Sequence, residues 1–137
     1  MALNRDRPVN EVPMTSPTYI LLAVADPGKS AELYSRLLGQ TPVELSDTFA
    51  LYILPTGWKL GLWKKDGMEP TPLAPGGSEL GFNLPDKAAV NALLTDWTAL
   101  GLTIVQTPTE LDFGYTFVAA DADGHRLRAF ALSDTPA

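Results

Sequence analysis

The sequence predicts an α+β fold of two tandem βαβββ modules, forming a curved mixed sheet around a shared cavity with the helices outside. Three observations carry this reading. A strand-like run ending in Asp occurs twice, as Tyr19–Asp26 and Glu79–Asp86. Each is followed by apolar residues at helical spacing that stop at a glycine, Gly39 or Gly101. Each half then closes with matching final strands, Gly57–Trp63 and Gly124–Phe130.

The elements follow in order. Asp26 and Asp86 suit helix N-caps, because a carboxylate accepts the free first-turn N–H groups, and Pro27 suits the first helical position. The first helix is expected to bury Leu33, Tyr34, Leu37 and Leu38. The second is expected to bury Val90, Leu93, Leu94, Trp97 and Leu100. Gly39 and Gly101 fit the left-handed position just past a helix. Short strands are expected near Pro42–Leu45 and Thr103–Gln106, and longer ones over Phe49–Leu54 and Tyr115–Ala120. Turns at Pro55–Gly57 and Asp123–Gly124 lead into the final strands.

This divides the chain into an N-terminal arm (1–18), a first module (19–63), a linker (64–78), a second module (79–132) and a tail (133–137). The linker holds three prolines and three glycines and is long enough to form a lip of a site.

Strand parity divides the two faces of each sheet. Ile20, Leu22, Val24, Leu80, Phe82, Leu84, Trp58, Leu60, Leu62, Leu127 and Ala129 form the expected helix-facing set. The opposite face carries Tyr19, Leu21, Ala23, Lys59, Gly61, Trp63, Glu79, Gly81, Asn83, Arg126, Arg128 and Phe130. Charged groups in mid-sheet are costly unless solvated or paired. A concave, partly wet pocket lined by both modules accounts for the mixture; an exposed face, or one buried in a dimer, is the alternative. Trp63, Tyr19 and Phe130 are expected in that pocket. Gly61 and Gly81 would leave room beside them, and Tyr52, Phe113 and Tyr115 would close the rim.

Composition narrows the chemistry. The chain has 137 residues, 45% hydrophobic and 19% charged, which suits one globular core. Without cysteine there are no disulfides and no thiolate chemistry, and His125 alone cannot build a two-histidine site. The net charge of -6 argues against a nucleic-acid partner and favours a neutral or cationic ligand. The apolar run Tyr19–Ala25 is too short to span a bilayer. Residues 1–18 lack the apolar core of a signal peptide, so a cytoplasmic location is expected.

Two apparent motifs carry little. Gly28-Lys29-Ser30 opens a helix as a phosphate loop does, but Ala23 stands where glycine is needed and Asp26 repels phosphate. Asp121-Ala122-Asp123-Gly124 echoes the start of a calcium loop without its later ligands and is expected to be a β-turn, with His125 a turn residue.

The duplicated βαβββ unit, the Asp ending each lead strand and the Asp-x-Asp-Gly-His-x-Leu run together resemble the vicinal oxygen chelate superfamily. That superfamily includes glyoxalase I, extradiol dioxygenases and the bleomycin-resistance proteins. The resemblance spans residues 18–132. It implies two modules around a shared cavity, commonly in a homodimer with exchanged elements. It also places four metal-ligand positions on Tyr19, Gly61, Glu79 and Arg128. Only Glu79 is a competent ligand, since glycine offers no donor and arginine stays cationic, so neither a metal nor another cofactor is expected.

Trp63-Lys64, Glu69-Pro70 and Gly76-Gly77-Ser78-Glu79 look like the metal-free phenazine-resistance branch. The expected function is therefore sequestration of a planar aromatic antibiotic or toxic metabolite, without catalysis. Tyr19, Tyr52, Gly61, Trp63, Glu79, Phe113, Tyr115 and Arg128 are the candidate binding residues. The alternatives are a lyase, isomerase or dioxygenase-like enzyme with Glu79 as base or metal ligand, or a regulatory dimer without a ligand. Glu79 beside Arg128 reads equally as a base or as a paired structural carboxylate.

Overall fold

The computed structural model describes residues 16–133. The expected exchanged arm and the tail fall largely outside these residues. The first module comprises β1 (Tyr19–Val24), α1 (Pro27–Leu38), β2 (Glu44–Leu45), β3 (Phe49–Ile53) and β4 (Lys59–Lys64). After a short 3-10 turn at Lys65–Gly67 and the linker come β5 (Glu79–Asn83), α2 (Lys87–Ala99), β6 (Thr103–Leu111), β7 (Gly114–Ala120) and β8 (Arg126–Leu132). The chain is thus a tandem βαβββ α+β protein with one four-stranded mixed sheet per module. The strand orders are β1-β4-β3-β2 and β5-β8-β7-β6. In each, the lead strand runs parallel to the final strand and the other pairs are antiparallel.

Local chemistry sets both helices. Asp26 accepts N–H bonds from Gly28 at 3.0 Å and Lys29 at 3.3 Å, and Asp86 accepts from Ala89 at 2.8 Å. Each cap stabilises its helix by about 1 kcal/mol. Gly39, at φ 65°, ends α1 in the left-handed region, where a side chain would be strained. The α1 stripe buries Ala31 and Tyr34 against Ala50, Tyr52, Leu60 and Leu62. The α2 stripe buries Val90 and Trp97 against Phe117, Leu127 and Ala129. Trp97 stands edge-on to Phe82 at 5.1 Å and to Phe117 at 5.3 Å.

Three details differ from the sequence expectation. Trp58 precedes β4 and is 38% exposed, outside the buried helix-facing set expected to include it. Backbone bonds from Gly57 N–H to the Leu54 carbonyl and from Leu54 N–H to the Trp58 carbonyl hold it in the turn. β2 has only two residues. β6 extends to Leu111, past Gln106, with register shifts on both sides of Gln106. It is an edge strand, so Pro108 withholds its missing N–H from no central ladder.

The modules meet along α1 and the β7–β8 turn. Asp121 accepts the Asp123 and His125 N–H groups with Oδ1, each at 2.9 Å, which folds the expected turn. Its Oδ2 accepts the Tyr34 hydroxyl at 2.7 Å. Asp123 accepts Ala25 N–H at 2.8 Å and the Ser30 hydroxyl at 3.4 Å. His125 lies 2.7 Å from the Ala23 carbonyl through Nε2; a carbonyl only accepts, so Nε2 carries the proton. Apolar contact reinforces this polar clasp, because Leu33, Leu37 and Leu80 each pack against both cores.

Candidate functional site

Register fixes which residues share the face of each sheet turned away from its helix, the face expected from the sequence to be concave. In the first, Leu21, Gly61 and Leu51 lie abreast, and Ala23, Trp63 and Phe49 form the next row. In the second, Gly81, Arg128 and Val118 lie abreast, followed by Asn83, Phe130 and Thr116. Trp63 and Phe130 occupy equivalent places. Each meets another ring edge-on: Phe49–Trp63 at 6.2 Å and 87°, Phe113–Phe130 at 6.1 Å and 82°. Such geometry sets the positive edge of one ring against the negative face of another. Tyr19, Leu21, Ile53, Phe113 and Leu132 are each about half exposed, so both faces present apolar surface.

Tyr52 and Tyr115 are not part of this surface. Tyr52 is fully buried under α1, bonded to the Ser35 hydroxyl at 2.9 Å and donating to the Ala31 carbonyl at 3.1 Å. Tyr115 donates to Asn91 Oδ1 on α2 at 2.9 Å. Both belong to the helix-facing parity of their strands, opposite to the rim expected for them. The glycines do not leave open space either. A Cβ on Gly61 would lie 2.7 Å from Leu21 and 2.9 Å from the Phe49 ring, and one on Gly81 would lie 3.3 Å from the Phe130 ring. The space left by the missing side chains is taken by Leu21 and Phe49 at Gly61 and by Phe130 at Gly81.

Glu79 anchors the charged part of the face. Arg128 donates to it through Nε at 2.7 Å and Nη2 at 3.1 Å, and Arg126 pairs with its Oε2. Arg128 Nη1 also donates to Thr116 at 3.2 Å and Gln106 at 3.4 Å. The Arg128 hydrogen bonds, aided by both positive charges and opposed by desolvation, hold the Glu79 carboxyl below its ordinary value. A general base needs the opposite shift to work near neutral pH, so the paired reading of Glu79 is the one its surroundings favour. On the first sheet Lys59 lies at the position equivalent to Arg126, with its ammonium 5.1 Å from the centre of the Tyr19 ring.

The residues do not fit a metal ion of the kind the resemblance implies. Gly61 has no donor and is covered by Leu21 and Phe49, while Arg128 brings a cation to the position. Both Glu79 oxygens already accept from arginine. Among the described residues there is no group of three or more metal-ligating side chains.

Sequence reasoning missed two features. One is the role of Asp121, Asp123 and His125 in joining the modules; the spacing signalled a turn but not its partners. The other is a pair of equivalent cavities at the module ends. The first, of about 500 Å³, lies among Asp26, Gly28, Asp47 and Lys64. The second, of about 360 Å³, lies among Asp86, Glu110, Gly114 and Leu132. Their repetition follows from the duplicated Asp cap at each helix start.

Duplicated βαβββ modules, each a helix over a four-stranded mixed sheet in the order lead–final–third–second, define the fold class of the protein. The profile of the Glyoxalase/Bleomycin resistance protein/Dioxygenase superfamily matches residues 16–129, and the chain belongs to that superfamily. It is 27% identical over 123 residues to the phenazine antibiotic resistance protein EhpR of Enterobacter agglomerans, covering 88% of this chain and 95% of that one. It is 44% identical to the solution structure of protein ATC0852 from Agrobacterium tumefaciens, with TM-score 0.82, covering 88% of this chain and 99% of the other. A glyoxalase-related enzyme from Fulvimarina pelagi has the same fold at 22% identity, TM-score 0.77, covering 86% of this chain and 88% of that one. Among the described residues no helix is long and apolar enough to cross a membrane.

Proposed function

We propose that the protein binds a small planar aromatic compound on the sheet faces turned away from its helices and sequesters it unchanged, as an antibiotic-resistance or detoxification protein of the cytoplasm. The observation that carries this is the pair of edge-on aromatic units centred on the equivalent residues Trp63 and Phe130, met by Phe49 from β3 and by Phe113 from the β6–β7 turn. Each offers a ring surface on which a flat molecule can stack, contributing about 0.5–1.5 kcal/mol per contact beyond area burial. The name of the EhpR relative supports a phenazine-like ligand. Tyr19, Trp63, Glu79, Phe113 and Arg128 remain the proposed binding residues, joined by Phe49 and Phe130; Gly61, buried under Leu21 and Phe49, is not among them.

The site is completed by a second copy of the chain. Half-exposed Tyr19, Leu21, Ile53, Phe113 and Leu132 leave apolar surface that a partner would cover. Residues 1–18 are proposed as the exchanged arm.

Tryptophan emission titrated with phenazines and acridines tests the reading, with recovery of the compound afterwards. Saturable quenching with the ligand returned intact supports sequestration. Conversion of the ligand, or no binding across the panel, refutes it.

A further inference from the structure

We infer that the sequestered ligand carries an anionic group, a carboxylate on a flat ring system, and that the basic residue of the sheet it stacks on, Arg126 on β8 or Lys59 on β4, receives it. This rests on the sequestration reading above. It departs from the neutral or cationic ligand that net charge alone favours.

The faces turned away from the helices carry one more cation than anion among their strand residues. They hold three cations, Lys59, Arg126 and Arg128. Against them stand Glu79 and, on the short edge strand opposite Leu51, Glu44. These faces therefore have a cationic excess in a chain of net charge -6. An uncompensated charge of one sign on a partly apolar surface attracts ions of the opposite sign.

The cations are not equally committed. Arg128 spends its fork on Glu79, Gln106 and Thr116 and is only 20% exposed. Arg126 is 43% exposed and, among the described residues, directs one nitrogen to Glu79. The rest of its planar fork matches a carboxylate, which accepts two parallel N–H bonds. Lys59 sits over the Tyr19 ring and has no carboxylate partner among the described residues. Glu79 orients Arg126 without neutralising the pair of arginines around it.

The aromatic and charged groups also share a spacing. Trp63 lies four residues beyond Lys59 on β4, and Phe130 four beyond Arg126 on β8. Even spacing keeps each pair on one face, roughly 13 Å apart along the strand. A fused-ring system stacked at the aromatic end can thus direct its acid toward the long basic side chain. The same pattern on both sheets is independent of any single side-chain position.

The test compares phenazine-1-carboxylate with neutral phenazine-1-carboxamide, titrated into the full chain at neutral pH by tryptophan quenching. The acid is expected to bind about ten-fold more tightly at low salt, equivalent to about 1.4 kcal/mol. Added sodium chloride should shrink that preference, because exposed charges are screened. R126Q, K59Q or both should lower the acid-to-amide ratio, according to the sheet that holds the ligand, and both variants are checked for folding by circular dichroism. Equal binding of the two compounds, or tighter binding of the amide, overturns the inference and leaves sequestration standing. A ratio unchanged in both folded variants also overturns it. If neither compound binds, both readings fall together.

Discussion

Replacing Trp63 with alanine separates the proposed site from the core. Trp63 is half-buried and makes one edge contact, with Phe49 at 6.2 Å. Trp97 is 1% exposed and makes two, with Phe82 at 5.1 Å and Phe117 at 5.3 Å. Removing a buried aromatic costs roughly 3–5 kcal/mol. For a chain of this size, 1 kcal/mol shifts the melting temperature by about 3–5 °C. Trp97→Ala should therefore melt about 10–20 °C early. Trp63→Ala loses one ring contact and part of its burial, about 1–2 kcal/mol, and should melt only several degrees early. Its binding of a flat aromatic should weaken by about 1–3 kcal/mol, the loss of one stacking wall. Differential scanning calorimetry and fluorescence titration read the two effects separately; Trp58 and Trp97 still report in the Trp63 variant. If Trp63→Ala melts as early as Trp97→Ala and binds ligand normally, Trp63 is core and the face turned away from the helices is misassigned.

Three further outcomes follow from the geometry. Tyr34→Phe removes the hydroxyl that donates to buried Asp121 at 2.7 Å; hydrogen bonds to charged groups contribute about 1.5–3 kcal/mol, and urea denaturation should show a loss of that size. Gly61→Ala pushes a methyl to within 2.7 Å of Leu21 and 2.9 Å of Phe49. It should cost about 1–3 kcal/mol by overpacking and alter near-ultraviolet circular dichroism as the Phe49–Trp63 pair shifts. Glu79, with its carboxyl held below the ordinary 4.5, favours the folded state above that pH, and this contribution is lost as pH falls through the lower folded value. Glu79→Gln should be less stable than the parent at neutral pH, with the gap closing in acid when the two are melted across a pH series.

The fold was legible because it is written twice. Two Asp caps, two glycine stops and two sets of alternating strands agree with one another, so an error in one half is checked by the other. Strand parity placed Trp63, Phe130, Arg126 and Arg128 on the side turned away from the helices without further information. The reading goes wrong at Tyr52 and Tyr115, which it puts on the rim from their place on the third strands without applying parity to them. Each hydroxyl instead finds a partner on the overlying helix, Ser35 and Ala31 for one and Asn91 for the other. Parity alone separates them from Trp63, since Tyr52 pairs with helix-facing Leu60 and Tyr115 with Ala131. The glycines misled for a different reason. Absence of a side chain marks space in the sequence, but the fold fills it with Leu21, Phe49 and Phe130. The clasp was illegible because its partners lie 87 to 102 residues away in sequence.

The arrangement of strands also governs how the chain can fold during synthesis. No strand is shared between the two sheets. The first sheet is complete once β4 has paired with β1, forty residues upstream, as Tyr19 with Lys59. The N-terminal module can thus close on itself while the second is still being translated. The turn that locks the modules together precedes β8, the last strand made. Docking is therefore the final event, and it meets a preformed helix and strand edge. A ribosome stalled only after the linker has cleared its exit tunnel should present a nascent chain already resistant to protease over the first module.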